Sequence, residues 1–359
     1  RAAGLGKAPE GRDPDTYEQI HVHCDVLVIG GGVAGLAAAE AAAANGAKVI
    51  IADENPHLGG LSDISGGTID GQSLTDWSAA TGAKLHAAEN VHVLNRTTVV
   101  GHWHHNFVML FERVADHDPA LLSQGVPRHR LWKVRAHQVI LATGSIERPI
   151  AFANNDRPGV MLASAARGMV ERYGVAPGSN GVVFTNNDDA YQTAIVLKDA
   201  GVGVRVVDSR GRAEGALPNK AREMGIQIDT GSVISAVNTS WGGLNITGVK
   251  IASYRKGQGR VIKEAKAEAD FVAMSGGWTP TVHLTSHRNV KPQYDPAIAC
   301  FVPGGFDRAQ FGAGSMVGEQ TWDGAIASGW AAGAQAAGVL GLHSSGDAPT
   351  LQDGFGMAF

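Results

Sequence analysis

Short, wholly apolar runs recur along this chain, each followed by a turn of small or polar residues: Val26 to Ile29, Val139 to Leu141 and Gly181 to Phe184. Apolar runs without alternation are expected of strands covered on both faces of a parallel sheet. After the first run comes an Ala-rich segment of high helix propensity, closed by Asn45-Gly46 as a C-cap, and then a second strand, Lys48 to Ala52. After the third run, Asp188 or Asp189 opens a helix through Ala200, and Val204 to Val207 forms the next strand, ending at Asp208. Between Pro218 and Asp270 the pattern changes. A short helix around Lys220 to Met224 precedes the alternating segments VISAVNTSW and LNITGVKIASYRKG, which read as a small β-meander. Phe271 to Met274 is a strand leading back, and FGAGSMVGEQTWDGAIASGWAAGAQAAG reads as strand, glycine turn and long helix of small residues.

The first strand–turn–helix carries Gly30-Gly31-Gly32-Val33-Ala34-Gly35, and the strand after it ends in Asp53-Glu54. Gly30 allows the tight turn, Gly32 lets backbone approach a pyrophosphate, and Gly35 lets helix and strand pack closely. Free N–H groups at the helix start bind phosphate. Asp53 can accept hydrogen bonds from ribose hydroxyls, with Glu54 able to share that role, and its charge disfavours a 2′-phosphate. This points to a dinucleotide other than NADP. Gly59-Gly60 in HLGG and the Ala142-Thr143-Gly144 turn are the expected further walls of the site. Near the C-terminus the glycine turn reads Gly314-Ser315. Flavoproteins of this architecture place an Asp there to hold the ribityl chain of FAD. Ser315 therefore favours NAD, with FAD at the first site as the alternative.

The second turn is Thr185-Asn186-Asn187-Asp188-Asp189-Ala190, with no glycine at any fingerprint position. Two carboxylates suit a helix N-terminus but repel a pyrophosphate, by an energy on the order of several kcal/mol. We expect this unit to keep the architecture and to have lost dinucleotide binding. The predicted fold is α/β, with two Rossmann-like dinucleotide-binding domains of the FAD/NAD(P)-binding two-domain oxidoreductase type, the second inserted in the first, plus the meander. The expected organisation is an extension over 1–19, a discontinuous first domain over 20–155 and 270–345, an inserted domain over 156–269, and a tail over 346–359.

Bulk properties narrow the function. The net charge is −4 over 359 residues, which gives no basis for a nucleic-acid partner. Cys24 and Cys300 are the two cysteines, which excludes a disulfide scaffold and a C-x-x-C redox pair and suits a cytoplasmic setting. No run reaches the ~18 apolar residues of a membrane span. The N-terminal residues lack the apolar core of a signal peptide, and the start at Arg1 and the stop at GFGMAF suggest a piece of something longer. His21 and His23, and His102, His104 and His105, match no metal-ligand spacing. We identify no catalytic acid, base or nucleophile.

The phrases RAAGLGKAPEGRDPDTY, HCDVLVIGGGVAGLAAAEAA, ATGSIERPIAFANNDRPGVMLA, VVFTNNDDAYQTA and AMSGGWTPTVHL, with FDRAQFGAG, resemble the α subunit of heterotetrameric sarcosine oxidase. Opine oxidase and hydrogen cyanide synthase subunits are similar relatives. The resemblance implies the middle, dinucleotide-binding part of a longer α subunit, inactive alone. It implies NAD that takes no part in turnover, FAD in a β subunit where sarcosine is oxidised, FMN at the α/β contact, and γ and δ subunits besides. The products are glycine, hydrogen peroxide and a one-carbon unit. Carried over, the nucleotide contacts are Gly30, Gly32, Gly35, Asp53 and Ala142-Thr143-Gly144, with Ser315 nearby. Two other readings stand beside this one: a free-standing FAD-dependent NAD(P)H oxidoreductase, and a scaffold in which nucleotide only stabilises the fold.

Overall fold

The computed structural model describes residues 6, 10–69, 71–254, 261–343 and 351–353. Part of the expected N-terminal extension and most of the expected C-terminal tail lie outside the described residues. The first sheet is built on β1 (Tyr17–Ile29), whose last four residues are buried and which leads into α1 (Val33–Ala44) and then β2 (Val49–Ala52). Helix α2 (Leu74–Ala87) follows, held at its start by Ser73, whose hydroxyl accepts from the Asp76 N–H at 3.0 Å. Strand β3 (Val91–Leu94) lies beside β2, and the hairpin β4 (Thr97–Trp103) and β5 (Phe107–Arg113) leads to β6 (His129–Leu141). The strand order is β3-β2-β1-β6-β5-β4.

Strand β1 begins well before the apolar run, at Tyr17. Its N-terminal half pairs in parallel with β6 from Tyr17↔His129 onwards and is covered on one face alone, so exposure alternates there. A one-sided stretch shows no continuous hydrophobic signal, and the apolar run marks only the half that is sandwiched.

The second sheet is parallel throughout. Strand β7 (Val160–Leu162) feeds α3 (Ala163–Tyr173); β8 (Asn180–Thr185), α4 (Asp189–Asp199) and β9 (Gly203–Asp208) form the second βαβ unit; α5 (Ala216–Glu223) leads to β10 (Gln227–Thr230). A three-stranded antiparallel meander follows, β11 (Ser232–Thr239), β12 (Ile246–Tyr254) and β13 (Val261–Ala267). Strand β14 (Phe271–Ser275), buried at every position, then inserts between β7 and β8. One face of this sheet packs on α3, α4 and α5 through Ala163, Tyr191, Leu197 and Leu217. The other face packs on the meander, with Phe184, Val207 and Met274 against Ile234, Val249 and Ile251.

The chain finally returns to the first sheet. Strand β15 (Gln310–Gly312) pairs in parallel with the end of β6, and α6 (Trp322–Val339) lies along α1. That helix pair is unusually close. A Cβ on Gly329 would sit 2.1 Å from the Ala34 carbonyl oxygen, and one on Gly333 would sit 2.2 Å from that of Ala38. The small residues of both helices are what allow this approach. No helix among the described residues is long and apolar enough to cross a membrane.

Candidate functional site

Where the ends of β1, β2 and β6 meet the start of α1, a cleft of about 650 Å³ opens. Gly30, Gly32, Val33, Ala34, Asp53, Glu54, Gly59, Gly60, Ala142, Thr143, Gly144, Gly314 and Ser315 line it. Its volume falls within the roughly 300–1,000 Å³ usual for ligand pockets. Gly31 and Gly35 do not line it, and their parts are structural. The Gly31 N–H donates to Asp53 Oδ2 at 2.6 Å. A Cβ on Gly35 would lie 1.8 Å from the Gly30 carbonyl oxygen, so only glycine lets α1 start this close to the strand.

Gly30 sits at φ +100°, and a Cβ there would meet the Ala142 carbonyl oxygen at 2.2 Å. The ATG turn is thereby pressed against the first glycine. It is fixed on its far side as well, since Thr143 Oγ1 donates to the Thr281 carbonyl at 2.9 Å and the Thr281 N–H to the Gly144 carbonyl at 2.9 Å. Gly32 is different. It meets nothing closer than the Gly60 Cα at 4.0 Å, so the space beside it is open to a ligand. The HLGG loop closes the other side, with the Gly59 N–H donating to the Gly31 carbonyl at 2.8 Å.

Helix α1 has no side-chain cap and no acidic residue in its first turn. Its orphan N–H groups therefore face the cleft without a competing anion, the arrangement that favours a phosphate. Asp53 is buried, and its Oδ1 accepts from the Asn55 backbone N–H at 2.8 Å and side-chain amide at 3.0 Å. Glu54 is exposed at the mouth. Ser315, in the turn Gly314–Val317, presents a hydroxyl where a carboxylate was the alternative. The residues present thus fit an ADP-containing dinucleotide. Asn55, Ser164, Arg172, Trp278, His283 and Glu319 also line the cleft and were not anticipated. Asn55 follows Asp53-Glu54 directly and was the one within reach of sequence reasoning.

The second turn is built in the opposite way. The Asn187 side chain accepts from the Ala190 N–H at 3.3 Å, and Thr185 Oγ1 accepts from the Asn187 N–H at 3.0 Å. Asp189 is buried against Arg167, which is fully buried; Arg167 donates to both Asp189 oxygens at 3.1 and 3.3 Å, and the Trp278 indole N–H donates to Oδ2 at 3.3 Å. Asp188 pairs with Arg210 at 2.7 Å, and Arg210 also reaches Asp208, which accepts from the Tyr191 hydroxyl at 2.8 Å. Burial and the Asp208 carboxylate hold the Tyr191 hydroxyl well above its usual range. Tyr191 stands two residues into α4, where Gly35 stands in α1. The carboxylates are thus neutralised by arginines, and the turn takes up the Asn187 and Ala190 N–H groups itself.

Other candidates resolve into structure. Buried His102 accepts or donates between Asn106 at 3.1 Å and Gln310 at 3.2 Å, and burial lowers it from 6.5 to about 4. His21 and His23 share the exposed face of β1. Among the described residues no group of three His, Cys, Asp or Glu is placed to hold a metal. Cys24 is buried, which pushes its thiol up to about 12, and the buried Cys300 thiol donates to the Trp278 carbonyl at 2.9 Å. Glu147, buried beside the cleft, accepts from the Ser164 N–H at 2.9 Å and hydroxyl at 2.6 Å, and burial raises it above the ordinary carboxylate range.

A family model described as FAD dependent oxidoreductase matches residues 25–125. The sarcosine oxidase alpha subunit of Corynebacterium sp. (strain P-1) is 42% identical over 348 residues, covering 96% of this chain and 36% of that protein. An opine oxidase subunit of Agrobacterium tumefaciens (strain Ach5) is 33% identical over 183 residues, covering 50% of this chain and 35% of that one. The chain thus spans about a third of the length of these relatives. Among solved structures, thioredoxin reductase of T. acidophilum superposes with a TM-score of 0.68 at 17% identity, over 89% of this chain and 99% of that one. At that identity the likeness shows the fold alone.

Proposed function

The chain is a homologue of sarcosine oxidase α subunits over most of its length and a flavin- or dinucleotide-binding oxidoreductase subunit; from that premise we propose that it is the NAD-holding region of such a subunit. In this reading a partner β subunit with FAD oxidises sarcosine, FMN lies at the contact between the two, γ and δ subunits complete a cytoplasmic complex, and hydrogen peroxide is released. The isolated chain is then inactive towards sarcosine.

The contrast between the two turns carries the reading. Gly30, Gly32 and the start of α1, with no acidic residue in its first turn, leave donors open, with Asp53 placed for a ribose, whereas in the second turn Asn187 takes the Ala190 N–H and Asp189 and Asp188 are already paired with Arg167 and Arg210. One dinucleotide is therefore expected, held by Gly32, Asp53, the Gly59-Gly60 loop, Ala142-Thr143-Gly144 and Ser315. A nucleotide bound there supplies stability by mass action, about 2.7 kcal/mol at 100 times its Kd.

A second reading, FAD at this site, is favoured by the match of residues 25–125 to the FAD dependent oxidoreductase model. Denaturing the purified chain and identifying the released molecules by absorbance and mass spectrometry separates the two. NAD without flavin supports the proposal. FAD overturns the assignment made from Ser315.

A further inference from the structure

We infer that Arg172 is a positioning residue through which the second sheet holds the first nucleotide site closed, an inference that rests on a dinucleotide occupying that cleft. Arg172 lies in the last turn of α3, a helix seated on the second sheet through Ala163 and Ala166. Its guanidinium reaches across to the other half of the molecule. Nε donates to Asp63 Oδ2 at 2.6 Å, and Nη2 donates to Asp63 Oδ1 at 2.8 Å and to the Gly60 carbonyl at 3.1 Å.

Gly60 in turn rests on the phosphate turn: a Cβ there would lie 3.0 Å from the Gly32 Cα. The Gly59 N–H is bonded to the Gly31 carbonyl. Contacts therefore run without a break from α3, through the HLGG loop, to the glycine whose backbone faces the ligand. Gly59 and Gly60 sit at φ +124° and +61°, backbone that glycine adopts freely and holds weakly. The Arg172 contact adds a side-chain tie to the loop's own backbone bond. A planar two-pronged arginine–carboxylate contact fixes orientation as well as distance, which an ammonium does not. Arg172 is also the one Lys or Arg among the described residues lining the cleft. Nucleotide release requires the loop to move, so the strength of this tie sets the dissociation rate.

The test loads the whole chain with NAD and follows its release by chase with etheno-NAD. Arg172→Gln and Asp63→Asn should each speed release about threefold to fivefold, the size expected of a half-exposed ion pair. The double variant should be no faster than either single one, because both break one tie. Arg172→Lys should fall between parent and Gln. Melting of the nucleotide-free protein should move little, since the pair is half-exposed. That separates positioning of the ligand loop from general support of the fold. Release within about twofold of the parent, or additive effects, overturns the inference while leaving the nucleotide assignment intact. If the parent retains FAD instead, the same chase with FAD decides it, and a parent that binds neither overturns both.

Discussion

Replacing Asp189 with alanine should destabilise the second sheet and leave the first nucleotide site loaded. Arg167 has no exposed surface, and its charge is met by two hydrogen bonds to the Asp189 carboxylate, which also accepts from Trp278. Removing one partner of a buried pair leaves an uncompensated charge and costs about 3–5 kcal/mol. At roughly 2–4 °C per kcal/mol, the melting transition should fall by about 6–20 °C. The double change Arg167→Met with Asp189→Ala removes both charges and should recover most of that loss. Calorimetry on the three proteins, with nucleotide content measured by mass spectrometry, gives both readouts. A single variant that melts within about 2 °C of the parent would show that water or another group reaches Arg167, refuting the burial argument. Loss of nucleotide without loss of stability would place the second turn in the binding site.

Three more outcomes follow from the same geometry. Gly32→Ala has open space for its Cβ and ordinary φ, so the empty protein should melt within about 0.5 kcal/mol of the parent yet bind nucleotide poorly, whereas Gly35→Ala, with its Cβ 1.8 Å from a carbonyl oxygen, should lower both; equal melts for the two would undo the assignment of roles. His102, lowered chiefly by burial from 6.5 to about 4, is neutral in the fold while the unfolded chain takes up its proton, so stability falls as pH drops through that window, by about 3 kcal/mol in all. His102→Gln should flatten that slope in melts across pH, and an unchanged slope would assign the loss to other groups. Cys24 and Cys300 are both buried, so neither should react with a thiol reagent at mildly alkaline pH until the chain is denatured; a native thiol count above zero contradicts the packing.

Much of the first site was legible because its chemistry is contiguous. Gly30, Gly32, Gly35 and Asp53 lie on one strand–turn–helix–strand, and each role follows from local geometry. The reason for the second turn's closure was not legible in the same way. Asp188 and Asp189 suggested repulsion, but repulsion presumes bare charges, and the arginines that cancel them lie 22 residues away on other elements. Arg172 was further out of reach, 109 residues from Asp63, on a helix with no motif of its own. The first residues of β1, Tyr17 to Ile20, escaped for a different reason: that stretch is covered on one face and reads as polar, and only the alternation that puts His21 and His23 on one face marks the strand before Val26.

The close seat of α6 on α1 reaches into synthesis of the chain. The glycine motif, residues 30 to 35, leaves the ribosome some 300 residues before the backbone that walls it, Gly314 against Ala34 and Gly329 against the Ala34 carbonyl. A nascent chain therefore carries a recognisable motif long before it carries a pocket. Until α6 docks, the apolar face of α1 has to be shielded by something other than its own fold.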